Sequence, residues 1–249
     1  MPGLYVVATP IGNLGDITLR ALDVLKRADC VAAEDTRVSR QLLDHFGLRK
    51  EMLSVREHNE QQAAEGIIKR IRAGQAVAYV TDAGTPAVSD PGARLVAAAN
   101  RAKLAVVPLP GPSAAMAALS ASGQLFEHWL FYGFLPARDE ARKKALTEIR
   151  ELPYGLVFYE SPHRIAAAVA EMTAVLGAER TLTIARELSK RFEQVHTLPL
   201  SEAQTWLLQD PNRQRGEFVL IVSGAPPLQH QDEAEHKRVL NLLLEELPV

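Results

Sequence analysis

The sequence predicts an α/β protein of two domains, the first with a parallel sheet covered by helices on both faces and the second with a mixed sheet. Three observations lead there. Short apolar runs alternate with helix-periodic segments, the pattern of parallel strands joined by right-handed crossovers. Four successive runs end in polar loops bearing glycine or proline, and that is the edge at which open α/β sheets bind ligands. Beyond the proline-rich segment 108–113 the character changes and a second series of strands and helices begins.

Residues 4–9 form a β-type run stopped at Pro10 and Gly12, after which Ile17, Ala21, Val24, Leu25 and Ala28 recur at helical spacing. Residues 30–33 are a second buried run, ending in Glu34-Asp35-Thr36-Arg37, and the helix that follows through Leu42, Leu43 and Phe46 stops at Gly47. A third run, 52–55, leads into a helix over 61–73. A fourth, 76–80, ends in the turn-rich segment Asp82-Ala-Gly-Thr-Pro-Ala-Val-Ser-Asp-Pro-Gly92. A helix over 93–102 and a fifth strand over 104–108 complete the first unit. The second opens with a small-residue helix over 114–122, an aromatic strand over 129–134 and a charged helix over 138–151. Its further strands are 155–159, 181–185 and 218–222, with helices led by Ser161-Pro162 and Ser201-Glu202. Residues 229–249 read as an amphipathic helix with Val239, Leu242, Leu243 and Leu247 on one face. The expected divisions are 1–112, 113–225 and a helical tail, 226–249.

With 249 residues, 47% hydrophobic and 23% charged, the chain has the composition of a globular protein with a sizeable core. A lone cysteine, Cys30, forms neither an internal disulfide nor a cysteine metal site, and the N-terminus lacks the basic region of a signal peptide. The uncharged stretch 104–126 is broken by Pro108, Pro110, Gly111 and Pro112, so the expectation is a cytoplasmic protein without a membrane span. A net charge of −2 gives no bulk signal for nucleic acid, so any nucleic-acid contact must come from local patches.

The common nucleotide fingerprints, Gly-x-Gly-x-x-Gly and the Walker lysine loop, are absent, as are His-x-x-x-His and Gly-x-Ser-x-Gly. No metal is expected. What remains is the Asp82 to Gly92 run, which carries two prolines, two glycines and two aspartates directly after a buried strand. Glycine admits close backbone approach and proline fixes φ, so the run presents a rigid backbone surface to a ligand whose type the residues alone leave open. Pro110-Gly-Pro-Ser113 ends the fifth strand and opens a helix, where free N–H groups suit a carboxylate or a ribose hydroxyl. Tyr159-Glu-Ser-Pro-His-Arg164 and Ala185-Arg-Glu-Leu-Ser-Lys190 repeat the arrangement in the second half. The basic series Arg138, Arg142, Lys143, Lys144 and Arg150 reads as a solvated helix face or as a set of phosphate contacts.

Taken in order, Thr9-Pro-Ile-Gly-Asn-Leu-Gly-Asp16, Ala33-Glu-Asp-Thr-Arg37, His58-Asn-Glu60, the Asp82 run, Pro110-Gly-Pro-Ser113, Tyr132-Gly-Phe-Leu-Pro136, Tyr159 to Arg164 and Ala185 to Lys190 resemble the ribosomal RNA small-subunit methyltransferase I family, a branch of the tetrapyrrole methylases, from about residue 3 to 224. The resemblance implies a homodimer that binds S-adenosylmethionine in a cleft between the domains and 2′-O-methylates a cytidine ribose of 16S ribosomal RNA in the 30S subunit. Carried over by position, it puts the cofactor against Pro10, Asp82, Gly84, Thr85, Pro86, Ser113, Ala114, Tyr159, Ala185 and Gly216. Members of the family continue past Glu-Glu-Leu-Pro into a small helical module, whereas this sequence stops at Val249.

Methyl transfer to a hydroxyl is an in-line displacement, so the protein must align the reacting atoms and accept a proton. Glu160, His58 and Asp35 are the sequence's candidates for that acceptor. Arg37, Arg142, Lys143, Lys144, Arg186 and Lys190 are the candidates for RNA contact. Methylation of a tetrapyrrole or other small molecule, and a non-catalytic ribosome-binding role, are the rival readings.

Overall fold

The computed structural model describes residues 1–56, 59–226 and 241; His58 and the amphipathic tail expected over 229–249 fall outside that set, Asn241 excepted. Two five-stranded sheets organise the rest. In the first, β1 (Gly3–Val7), β2 (Cys30–Ala33), β3 (Glu51–Ser54), β4 (Ala76–Val80) and β5 (Val106–Leu109) run parallel in the order β3-β2-β4-β1-β5. Strands β2 and β4 are near-continuous apolar runs because helices cover both faces of a parallel sheet.

The helices divide between those faces. Helices α1 (Leu19–Arg27) and α2 (Thr36–His45) bury Ala21, Leu25 and Leu43 against one, and α3 (Glu60–Arg72) and α4 (Ala93–Arg101) bury Ala64, Ile67, Ile71, Leu95 and Ala99 against the other. Local chemistry sets their starts: the Thr18 hydroxyl accepts the Ala21 N–H at 3.0 Å, and the Asp35 carboxylate accepts that of Arg37 at 2.8 Å. From β1 the chain steps outward through β2 to β3, then returns to insert β4 between β2 and β1. That insertion brings the carboxyl ends of β1, β2 and β4 side by side.

The second sheet holds β6 (Trp129–Phe134), β7 (Gly155–Glu160), β8 (Thr181–Arg186), β9 (Gln194–Pro199) and β10 (Phe218–Val222) in the order β6-β7-β10-β8-β9, parallel only between β6 and β7. On one face α6 (Asp139–Ile149), α7 (Ile165–Leu176) and α8 (Leu200–Gln209) enclose a core built on Leu146, Phe158, Met172, Leu182 and Leu220. The other face is covered by α5 (Ala114–Ala121), whose Ala115 and Ala118 pack on Val157, Ala185, Val219 and Ile221. A β-bulge between Phe131 and Gly133 bends β6 where it approaches the first domain. Among the described residues no helix is long and apolar enough to cross a membrane.

The structure departs from the sequence expectation in four places. Strand β9 had no counterpart, since Gln194-Val-His-Thr-Leu-Pro199 is an edge strand with mixed polarity and offers little apolar periodicity. The fifth strand starts later than expected because Leu104 still closes the end of α4, its N–H donating to the Ala99 carbonyl at 3.0 Å. Ser161-Pro162 forms a turn and α7 begins only at Ile165, with Arg164 and Ile165 both donating to the Ser161 carbonyl. Arg142 is the fourth: its helix face is not solvated there. The side chain is buried, with Nε 2.5 Å from Glu171 and Nη2 2.7 Å from Asp139, whereas Arg138, Lys143, Lys144 and Arg150 of the expected basic series are exposed.

Candidate active site

A cavity of about 430 Å³ lies where the carboxyl ends of β1, β2 and β4 face the ends of β7, β8 and the start of β10. Its floor on the first-domain side is the loop that follows β4. Gly84 makes an isolated two-way bridge to Thr9, with N–H to O distances of 2.9 and 3.0 Å, and its φ of +81° is one that L side chains avoid. The Thr9 hydroxyl donates to the Thr81 carbonyl at 3.1 Å and the Thr85 hydroxyl to that of Pro112 at 3.0 Å. The first half of the loop is therefore tied to the ends of β1 and β5.

Its second half is tied from below. The Tyr79 hydroxyl donates to the Pro91 carbonyl at 2.6 Å, and one oxygen of buried Glu60 accepts the N–H groups of Gly92, Arg94 and Leu95 at 3.0, 2.9 and 3.1 Å. Glu60 on α3 thus caps α4 in place of a local side chain. At Gly92 a Cβ would stand 2.3 Å from the Tyr79 ring, at a φ of +122°, so glycine is required on both counts. Rigidity expected from prolines and glycines is realised by hydrogen bonds at each end.

Three carboxylates of the first domain face the cavity: Glu34, Asp82 and Asp90. The Thr81 hydroxyl donates to Glu34 at 2.9 Å, and Asp82 accepts the Asp35 N–H at 3.0 Å. Burial raises the pKa of Asp90 to about 6, and the charges of Glu34 and Asp82 add to the rise against a partial offset from Thr81. From the second domain Glu160 closes the end of β7 with 2% of its surface exposed. One of its oxygens accepts the Ser161 N–H at 2.8 Å and lies 3.3 Å from Arg164, while the other has no hydrogen-bond partner. Burial pushes its pKa up, against the pull of the Ser161 N–H and the Arg164 and Arg142 charges.

Seven of the ten positions expected around the cofactor line this cavity: Asp82, Gly84, Thr85, Ser113, Ala114, Tyr159 and Ala185. Pro10 and Pro86 are buried behind the wall. Gly216 serves a neighbour instead, because a Cβ there would stand 2.4 Å from the Glu187 side chain, and Glu217, Phe218 and Val219 face the cavity in its place. Of the expected proton acceptors Glu160 is in the wall. Asp35 is not, and Arg37 holds its carboxyl well below the usual carboxylate range while it caps α2.

The basic candidates divide in the same way. Lys190 lines the cavity with its Nζ 2.9 Å from Glu187 and 2.7 Å from Glu217. Arg186 is buried, its guanidinium donating to the carbonyls of Arg215 and Phe192 and to the Gln194 side chain, so it holds the β8–β9 turn rather than facing solvent. Arg37, Lys143 and Lys144 are exposed. Sequence reasoning missed Glu34, Asp90, Phe134 and Glu217 as wall residues. Glu34 follows a strand directly and Asp90 ends a motif already singled out, but only the insertion of β4 beside β2 puts them together. Among the described residues no group of three His, Cys, Asp or Glu side chains is arranged to hold a metal ion.

The family described as Tetrapyrrole (Corrin/Porphyrin) Methylases matches residues 3–204. The chain is 49% identical to the ribosomal RNA small subunit methyltransferase I of Vibrio cholerae, over all of its own length and 86% of that protein's. It is 48% identical to the protein of the same name from Pseudomonas aeruginosa, over 99% of the chain and 88% of that protein. Among solved structures, the methyltransferase CobJ superposes with a TM-score of 0.67 at 18% identity, covering 90% of this chain and 95% of that one. The cobalt precorrin-4 methyltransferase CbiF does so with a TM-score of 0.65 at 18% identity, covering 88% and 94%. Those two likenesses establish the fold, and the identities near one half over the full chain establish the closer kinship. The chain is a methyltransferase of the ribosomal RNA small subunit methyltransferase I family, built on the two-domain tetrapyrrole methylase fold.

Proposed function

We propose that this protein transfers a methyl group from S-adenosylmethionine to the 2′-hydroxyl of a cytidine ribose in 16S ribosomal RNA. The observation that carries the donor is the charge of the cavity. Its wall holds five carboxylates, Glu34, Asp82, Asp90, Glu160 and Glu217, against one ammonium, Lys190, which is itself paired. A sulfonium donor of net positive charge is attracted to such a wall, and the apolar side chains of Ile11, Val88, Phe134 and Leu188 suit its nucleoside. The volume of about 430 Å³ is in the range of small-molecule sites.

When bound, the donor supplies an activated methyl group; the chain supplies alignment and water exclusion. The loop tied by Thr9, Tyr79 and Glu60 fixes the backbone at Gly84 and Thr85, and Tyr159 holds the start of α5 by accepting the Ala115 N–H at 3.3 Å. A wall this acidic repels phosphates, so the RNA backbone stays outside the cavity, on exposed basic side chains for which Arg37, Lys143 and Lys144 are the candidates, and only a ribose enters. The kinship to ribosomal RNA small subunit methyltransferases I supports that substrate. On this reading the partner is the 30S subunit in the cytoplasm and the working assembly is a homodimer.

Incubating the protein with tritiated donor and 30S subunits or 16S RNA, then identifying the labelled nucleoside by mass spectrometry, tests the proposal. Label on a cytidine ribose supports it. Label on a base, or on a tetrapyrrole and not on RNA, sinks it. Light scattering in solution tests the dimer separately.

A further inference from the structure

Charge is distributed unevenly along the carboxyl edge of the first sheet. The cavity wall is acidic, yet the segment 36–56, which holds α2 and β3, carries five basic side chains, Arg37, Arg40, Arg49, Lys50 and Arg56, against two acidic ones, Asp44 and Glu51. Two of these are already engaged: Lys50 donates to the Lys26 and Ala28 carbonyls at 2.7 Å, and Glu51 is paired with Arg70. All four arginines are exposed. In a chain of net charge −2 they make a local cationic surface.

The arginines are contiguous, and they begin at the cavity. The Asp35 N–H donates to the wall residue Asp82 at 3.0 Å, and the Asp35 carboxylate accepts Nε and Nη2 of Arg37 at 3.2 and 2.8 Å. The charge of Arg56 adds to that of Arg37 in holding the Asp35 carboxyl well below the usual carboxylate range. Arg40 follows Arg37 by three residues on α2, so the two share a helix face. Arg40 and Arg49, with Asp44, then line one surface cleft of about 280 Å³. Helix stability does not account for this placement, because a cation in the first turn of α2 opposes the helix dipole. The ion pair with Asp35 instead fixes the Arg37 guanidinium beside the wall and leaves its remaining N–H donors to solvent.

We propose that Arg56, Arg37, Arg40 and Arg49 form a track for the phosphates of the RNA strand that carries the target ribose, running from the cavity along α2. This rests on the substrate reading given above. The two surfaces divide the charges between them: the acidic wall attracts the cationic donor and turns phosphates away, and the arginines outside it receive them. A planar guanidinium donates two parallel N–H bonds to a phosphate, where a lysine supplies only a point charge, and every exposed cation of the track is an arginine. The ten residues of α2 extend about 15 Å, enough to engage more than one phosphate of an extended strand. Contacts of this kind set the position of the strand and not the choice of base.

The test uses the full chain with the double variant Arg40→Ala/Arg49→Ala and with Arg37→Ala. Arg101→Ala is the control, an exposed arginine of α4 on the opposite face of the sheet. Affinity for 16S RNA and for 30S subunits is measured by filter binding at several salt concentrations, donor affinity by isothermal titration calorimetry, and methyl transfer in single turnover. The double variant is expected to bind RNA more weakly at low salt and to lose about 1.5 from the salt slope, and Arg37→Ala about half of that. Its transfer should fall at limiting RNA and recover as RNA is raised, the pattern of lost ground-state binding, with donor affinity within about twofold of wild type. Arg101→Ala should behave as wild type throughout.

A folded double variant with the wild-type salt slope overturns the track, and so does an equal loss in Arg101→Ala. Binding lost to 30S subunits but kept to 16S RNA overturns it as well, since the surface would then face a ribosomal protein. Should a variant fail to fold, hydrogen exchange of the wild type decides: protection of residues 36–50 on adding 16S RNA supports the track, and protection confined to other segments overturns it. Wild type that neither binds nor labels 16S RNA overturns the substrate reading and the track with it, a failure recognisable because it precedes any difference between variants.

Discussion

One carboxylate oxygen of Glu60 accepts the N–H of Gly92 at 3.0 Å, and through that bond α3 holds the loop that forms the floor of the active site. The same oxygen accepts the N–H groups of Arg94 and Leu95 in the first turn of α4, so a buried carboxylate sits on the positive end of a helix. Removing it as Glu60→Ala leaves three backbone donors without partners and is expected to cost about 2–4 kcal/mol. A thermal melt checks the stability and calorimetry the donor affinity, which should fall with it. A melting temperature equal to wild type would show that water replaces the cap at no cost.

Gly84 is the point at which the cradle is narrowest in chemical terms. Its backbone is committed to Thr9 on both sides and its φ is positive, yet it lines the cavity. Gly84→Ala should lower stability by about 1–2 kcal/mol through backbone strain. Gly84→Trp, in a protein shown by circular dichroism to be folded, should abolish detectable donor binding. Unchanged affinity in that variant would place the donor elsewhere.

Asp90 has a signature in stability. An acid whose folded pKa of about 6 exceeds an unfolded value near 3.9 is protonated more in the folded state between those limits. Stability therefore falls as pH rises from about 4 to about 6 and levels off above, the ionised folded form being the penalised one. Asp90→Asn removes that slope and should be more stable than wild type at pH 7 by about 1–3 kcal/mol. Urea unfolding midpoints across that range test it, and parallel curves for the two proteins would contradict the raised pKa of Asp90.

Arg142 and its two neighbours should separate cleanly. Arg142→Ala leaves the Glu171 carboxylate without its partner in a half-closed site and should cost about 3–5 kcal/mol. Lys143→Ala and Lys144→Ala should change stability by less than about 0.5 kcal/mol. If those lysines contact phosphate, each should lower affinity for 16S RNA and reduce the salt slope of binding by about one. Filter binding at several salt concentrations reads the slope, and a slope unchanged in the double variant would remove this helix from the RNA surface.

Much of the framework was legible because it depends on neighbours along the chain. Strands β2, β4 and β6 coincide with apolar runs bounded by breakers, and helices α1 to α4 follow from apolar spacing and capping residues. The Asp82 to Gly92 run announced a rigid ligand surface through its glycines and prolines, and the ordered motifs announced the family. These are local or linear properties, dictated by backbone sterics and by one-sided burial. What only the tertiary structure decided is which polar groups meet. Arg142 and Lys143 are adjacent in the chain, but helix geometry turns one toward Glu171 and the other to water. Edge strand β9 has too little buried surface to show a pattern, so its pairing with β8 had to be seen. Asp90 and Glu34 share a wall only because β4 inserts beside β2, and the basicity of Asp90 arises from that encounter, since a pKa is set by the charges and the solvent around a group and not by its place in the sequence.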